Sequence, residues 1–228
     1  MRILALDAAL AQCAAAVVMD EAMVASQLAG ADTAGRGQAA LLPGMAAAVL
    51  AEAGITAAQL DLVAVTVGPG SFTGIRAGLA VAHGIALAAN IPVVGVTIGE
   101  ALAEALPDLG GRTLWCATDS RRGRVFLERA IGVPGSEIEA FALDALPAPV
   151  GPLAIAGDGA IQVASILAAR GADVMLSDAR LPQIQHVALA AAKRWRGELP
   201  ARLPLPVYVD PPEAKLPAGG LRPAPKSP

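Results

Sequence analysis

The chain is poor in the residues that build chemical sites. Its 228 residues include only two cysteines, Cys13 and Cys116, and two histidines, His83 and His186. Two cysteines so distant in sequence make neither a disulfide framework nor a metal-ligand set, and they read as reduced, buried thiols. The histidines fall on different predicted helices, and a metal centre needs more ligands converging than that. Positive charge is short too: Lys and Arg number 17 against 20 Asp and Glu, a net charge of −3. This argues against a chain that binds nucleic acid alone through a basic surface, while leaving room for nucleic acid handled jointly with a partner. No segment reads as membrane-spanning, because His83 interrupts the most apolar helix. At the start of the chain Asp7 interrupts Ile3-Leu4-Ala5-Leu6, and Gln12 spoils the likeness of Leu10-Ala11-Gln12-Cys13 to a lipoprotein cleavage site. No signal peptide is read, and a cytoplasmic protein is expected.

What the chain does carry is Gly68-Pro69-Gly70-Ser71-Phe72-Thr73-Gly74-Ile75-Arg76-Ala77-Gly78. It lies between an apolar run at 62–67, which reads as a buried strand, and helical sequence running to about residue 90. A glycine-rich strand-to-helix turn is a natural anion site, because free N–H groups and the helix dipole point outward there. Here the parts are incomplete. No Lys-Ser/Thr pair follows, as a phosphate-binding loop requires. Gly68, Gly70 and Gly74 miss the G-x-G-x-x-G spacing by one residue, and Pro69 has no N–H to offer. Ser71 lacks the G-x-S-x-G context of a nucleophile and is expected to cap the helix, accepting from Thr73 or Gly74 N–H.

The pattern predicts strands at 2–7, 14–19 and 23–28, the last two joined as a hairpin. A helix follows at 38–53, whose regular part is expected to start only at Pro43. Then come a strand at 62–67, a helix at 71–90, a strand at 93–97 and a helix at 99–106. Pro107-Asp108-Leu109-Gly110-Gly111 marks a break. Beyond it strands are predicted at 113–118 and 124–131, Pro-rich irregular chain at 134–152, a strand at 153–156, a helix at 158–170, a strand at 174–176 and a helix at 182–195. The second half thus partly repeats the first. An α/β fold of two lobes is expected, with lobes at 1–106 and 107–209 and a cleft between them. The Pro/Gly-rich residues 210–228 are expected to be a disordered tail.

Several of these segments together resemble the TsaB (YeaZ-type) family. They are Ile3-Leu4-Ala5-Leu6-Asp7, the Gly68–Arg76 run, Ile91-Pro92-Val93-Val94-Gly95-Val96, Asp119-Ser120-Arg121-Arg122-Gly123-Arg124-Val125-Phe126 and Pro206-Val207-Tyr208-Val209. The resemblance covers about residues 2–209. It implies a duplicated actin-like (ASKHA, RNase-H-like) fold. It also implies a subunit of the bacterial machinery that places threonylcarbamoyl on the tRNA adenosine beside the anticodon. In that setting the chain would be a non-catalytic scaffold for the catalytic paralogue TsaD, joined by the ATPase TsaE. The tRNA would be reached through the complex, and a second copy of the chain would take TsaD's place when TsaD is absent.

The residues bear on that expectation. The catalytic paralogue carries an H-x-x-x-H metal motif, and the matching stretch here, Gly35-Arg36-Gly37-Gln38-Ala39-Ala40-Leu41, has no histidine. A metallopeptidase-like hydrolase is therefore disfavoured. A small-molecule kinase of the same superfamily would need intact phosphate loops, and Asp7 is followed by Ala8-Ala9-Leu10, without glycine or hydroxyls. Asp7, Asp119, Gly157 and Asp158 are the candidate nucleotide contacts. Gly157 would permit a close backbone approach to an adenosine; the alternative for Asp158 is a helix N-cap. No cofactor is expected for the isolated chain, with ATP or ADP in the assembled complex. A free-standing binding module is the remaining alternative.

The helix after Ser71 has glycines at 74, 78 and 84, each costing about 1 kcal/mol relative to Ala in a helix interior. Gly74, Gly78, Ala82 and Ala86 lie four apart and form a smooth ridge. Either another helix or the chain's own sheet would fit against it. The resemblance favours a partner, so the docking surface is expected at Leu42, Met45 and Val49 with Gly74, Gly78, Val81, Ala82 and Ile85. Arg121, Arg122 and Arg124 would either touch phosphate or form a solvated hairpin.

Overall fold

The computed structural model describes residues 1–30 and 38–209. The expected tail at 210–228 and part of the histidine-motif stretch, residues 35–37, lie outside them.

Two unbroken apolar runs make the centre of the first sheet. β1 (Arg2–Asp7) and β4 (Leu62–Gly68) pair in parallel, with Ile3 opposite Leu62 and Leu6 opposite Val65. Parallel strands covered on both faces need such continuous apolar sequence. β2 (Cys13–Met19) and β3 (Ala22–Ala29) extend the sheet antiparallel on one side, and β5 (Val93–Thr97) extends it in parallel on the other. The order is β3-β2-β1-β4-β5.

The second half builds the same sheet again. β6 (Thr113–Asp119), β7 (Arg124–Arg129), β8 (Glu137–Ala142), β9 (Leu153–Ala156) and β10 (Val174–Leu176) run in the order β10-β9-β6-β7-β8. Read from β8, this is the first sheet's order with β6 in the place of β1. The fold is duplicated, with one sheet order built twice. β8 corrects the expectation of irregular chain at 134–152. Glu137-Ile138-Glu139-Ala140-Phe141-Ala142 alternates with period two, and it pairs along β7 from Arg129 opposite Glu137 to Arg124 opposite Ala142.

The helices are α1 (Gln38–Glu52), α2 (Phe72–Ala89), α3 (Ile98–Glu104), α4 (Ala160–Ala169) and α5 (Ile184–Trp195). α1 begins before Pro43 and carries it inside, instead of starting there. Alternation along β1 sorts the core. Leu4 and Leu6 face Leu42, Met45, Val49 and Leu79 of α1 and α2, whereas Ile3 and Ala5 face Val187, Ala188 and Ala191 of α5. By length and composition α2 could cross a membrane, although His83 interrupts its apolar sequence. In the fold, its Gly74, Ile75, Gly78, Leu79, Ala82 and Ala86 are buried.

α5 follows the second sheet in sequence and packs on the first. The chain after it stays there: Val207 N donates to Val67 O at 2.8 Å, and Pro204 lies against Gly95. The expected lobe at 107–209 is therefore not one body of contiguous chain. α5 and residues 203–209 sit with the N-terminal lobe.

A buried polar cluster joins the two halves. Thr97 and Glu100 cap α3 reciprocally: Thr97 Oγ1 accepts from Glu100 N at 3.1 Å, and Thr97 N donates to Glu100 Oε2 at 2.8 Å. Arg194 of α5 grips the same carboxylate with both Nη atoms, at 2.5 and 3.1 Å, and donates to Gly95 O at 2.6 Å. Glu128 of β7 accepts from Thr97 Oγ1 at 2.6 Å and from Gly99 N at 3.0 Å.

Candidate functional site: the glycine turn and the interlobe cleft

The glycine turn closes on its own chain. Ser71 caps α2 as expected, accepting from Gly74 N at 3.2 Å. Ser71 N, the amide an anion would seek, donates instead to Ala9 O at 2.6 Å. A Cβ at Gly74 would lie 1.9 Å from Ala8 O, and one at Gly70 would lie 2.2 Å from Ala9 O. These glycines let the start of α2 press against the Ala8-Ala9 turn after β1. The Ala8-Ala9 turn thus fills the space against the start of α2.

Asp7 lies beneath that turn, fully buried. Its Oδ1 accepts from Thr66 Oγ1 at 2.6 Å and from Ala9 N at 3.0 Å. Burial pushes its carboxyl above the usual range, with the Thr66 bond pulling back. Ala8 and Ala9 are buried over it, and it does not line the cleft.

The second lobe repeats the arrangement. Gly157 has a positive φ of 102°, and a Cβ there would lie 2.2 Å from Ala117 O. Its N–H donates to Ala179 O at 2.8 Å. Close packing on β6 accounts for a glycine at this position. Asp158 is not a helix cap, which corrects that alternative: Gly159 occupies the N-cap of α4. The Asp158 carboxylate turns to the β6–β7 hairpin, where Oδ1 accepts from Asp119 N at 2.8 Å and Oδ2 from Arg121 Nη2 at 3.2 Å. Burial pushes Asp158 up, with the Asp119 amide and Arg121 opposing. Arg124 Nη2 donates to Ala140 O.

Asp119 and Asp158 face a cleft of about 930 Å³ between the lobes. Its other wall is Ala9, Leu10, the Pro69–Phe72 turn and the closing segment Val207–Val209. On its rim the Arg76 guanidinium lies 3.5 Å from the centroid of the Phe72 ring and 5.5 Å from that of Tyr208. Arg76 Nε donates to Tyr208 Oη at 2.9 Å. The motifs that contain these three residues assign them no role. Tyr208 is too distant in sequence for spacing to pair it with Arg76.

The expected docking residues are mostly inside. Leu42, Val49 and Ala82 have no exposed surface, Met45 has 7%, and Gly74 and Gly78 are buried. A Cβ at Gly78 would meet Val65 and Leu42. Val81 and Ile85 are half-buried against the same core. The small ridge therefore faces the chain's own sheet and α1, which corrects its assignment to a partner. The outward faces of the two helices present Leu41, Gly44 and Ala47, and Ala80, Gly84 and Leu87. His83 is exposed, with Nε2 3.3 Å from Pro204 O. Among the described residues no three His, Cys, Asp or Glu side chains gather as a metal site.

A family model described as "TsaD: tRNA N6-adenosine threonylcarbamoyltransferase" matches residues 32–193. The chain belongs to this family, and within it to the TsaB (YeaZ) type. An uncharacterised protein of Mycobacterium tuberculosis is 36% identical over 174 residues, which are 74% of this chain and 72% of that one. The Escherichia coli protein named tRNA threonylcarbamoyladenosine biosynthesis protein TsaB is 34% identical over 128 residues, spanning 55% of this chain and 53% of its own length. A solved Pseudomonas aeruginosa structure, described as an uncharacterised protein with similarity to peptidase YEAZ, superposes with a TM-score of 0.72 at 25% identity. That superposition covers 92% of this chain and 99% of the other. The TsaB-type likeness thus takes in both sheets and the glycine turn.

Proposed function

We propose that this chain is a non-catalytic subunit for threonylcarbamoylation of the tRNA adenosine beside the anticodon, binding and supporting TsaD. One observation carries the non-catalytic reading. The strand-to-helix turn that would hold a phosphate has its Ser71 amide engaged by Ala9 O and no room at Gly74. The name of the E. coli relative supports the pathway. TsaE joins the pair, tRNA and ATP or ADP are met through the complex, and the assembly works in the cytoplasm. Deleting the gene and quantifying threonylcarbamoyladenosine in digested tRNA by mass spectrometry tests the reading. The modification is expected to disappear and to return with the wild-type gene; unchanged levels would sink it.

The docking face is proposed on the outward sides of α1 and α2, around Leu41, Gly44, Ala80, Gly84 and Leu87. Leu87 is 85% exposed, and a Cβ at Gly44 or Gly84 meets nothing within 4 Å. Such a smooth surface admits a close-packed helix pair. Leu87→Asp is expected to leave the melting temperature unchanged and to abolish co-purification of TsaD. Full retention of TsaD would move the interface elsewhere. A second copy of the chain would use the same face when TsaD is absent.

A further inference from the structure

The Arg76 cluster on the cleft rim has features that the scaffold role does not require. The chain has three phenylalanines and one tyrosine, and Phe72, Phe126 and Tyr208 all line this one cleft. Phe72 and Tyr208 remain 55% and 54% exposed. Their centroids are 6.1 Å apart with the planes tilted by 41°, so they form two walls and not a closed stack. Rings this sparse in the sequence and this open in the fold are unfilled contact surface.

Arg76 is held between them. One face of its guanidinium lies on Phe72, and Nε is fixed by Tyr208 Oη. A guanidinium has five N–H donors. Those on Nη1 and Nη2 have no partner among the described residues. The planar fork is thus immobilised at one edge and open at the other, the arrangement that binds a carboxylate or phosphate in two-pronged fashion. Because the side chain is already ordered, little further entropy is lost on binding. Across the cleft, Arg121 is engaged by Asp119 and Asp158, so that cation does not compete for the same anion. The walls between are apolar, from Leu10, Pro69, Ile75 and Val207.

We propose that the cleft binds a small organic oxyanion, a carboxylate or phosphate carried on a flat apolar body. Arg76 receives the anion, and Phe72 and Tyr208 are the platform for the body. This site lies on the lobe-one rim and does not use the backbone amides of Ser71 and Gly157, which are engaged within the chain. It does not depend on the tRNA-modification reading, since the purified full chain alone tests it.

Isothermal titration with phenyl phosphate, phenylacetate and neutral benzyl alcohol makes the test. At least one anion is expected to bind with a dissociation constant of about 1 mM or tighter. The alcohol is expected to bind about tenfold more weakly or worse. The tighter anion identifies the phosphate or the carboxylate class. Arg76→Met should weaken anion binding about tenfold or more, and Arg76→Lys, which keeps charge without the fork, should fall between. Phe72→Leu should weaken it severalfold. Arg112→Met, a control whose wild-type arginine pairs with Asp173 away from the cleft, should bind as wild type does. Melting curves of each variant establish folding; should Arg76→Met fail to fold, Arg76→Lys decides. No binding of either anion, or wild-type affinity in the folded Arg76 variants, overturns the proposal.

Discussion

Gly74 and Gly78 read alike in the sequence, one turn apart on one ridge, and the structure separates them. A methyl at Gly74 would strike the Ala8 carbonyl at 1.9 Å, against backbone that cannot swing away. At Gly78 it would meet Val65 Cγ2 at 3.5 Å and Leu42 Cδ2 at 3.9 Å, ordinary contacts. Gly74→Ala is therefore expected to cost about 2–3 kcal/mol through overpacking. Gly78→Ala is expected to be neutral or to stabilise by up to about 1 kcal/mol, the helix-propensity gain. Urea unfolding of the two variants beside wild type checks both signs. The spacing placed these glycines on one face and left open what that face meets. A carbonyl from β1's turn decides the matter for Gly74, and no local pattern records it.

At the scale of elements, α3 shows where local sequence stops informing. Thr97-Ile98-Gly99-Glu100 has the spacing of a capping box, and its two reciprocal bonds are present. The grip of Arg194 on Glu100 comes from α5, far along the chain, and burial leaves the pair 5% and 2% exposed. Removing Arg194 leaves the buried Glu100 carboxylate with the more distant Arg202, whose Nη2 is 3.5 Å away, in place of a two-pronged partner. Arg194→Met is thus expected to destabilise the fold by about 3–5 kcal/mol. Adding Glu100→Gln to it should recover part of that loss, because the under-compensated buried charge is gone. Thermal or urea melts of the single and double variants check this; a single variant as stable as wild type would contradict it. β8 teaches the converse. Its alternation was legible, and the flanking prolines and glycines obscured it until β7 supplied a partner.

For the whole molecule, the join between the halves makes stability depend on pH. Burial pushes Glu128 up from 4.5 to about 7, Glu100 adds to the shift, and the bonds from Thr97 and Gly99 with the Arg202 charge oppose it. The folded chain then keeps a proton that the unfolded chain releases. Stability from this group is fully present below about pH 4.5 and is lost as pH rises to about 7, a change of about 3 kcal/mol. Asp7, also pushed up by burial, acts in the same direction. His186, pushed down by burial, acts oppositely, losing its contribution as pH falls through its range. Glu128→Gln isolates one component. Urea melts from pH 5 to 8 should show wild-type stability declining relative to the variant up to about pH 7. A constant difference between the two would refute the assignment.

The sequence by itself determined most elements, a partial repeat of one half by the other, the cap at Ser71 and the family, because these rest on periodicity and contiguous motifs. It did not settle which way the Gly74–Ala82 ridge faces, that α5 returns to the first sheet, or that Tyr208 would meet Arg76. Those depend on contacts between residues far apart in the chain, whose geometry exists only after both sheets have packed. The glycine turn itself belongs to both scales. Its missing lysine and its proline argued against a phosphate site, and tertiary packing supplied the reason the glycines are there: the start of α2 rests on the backbone of Ala8 and Ala9.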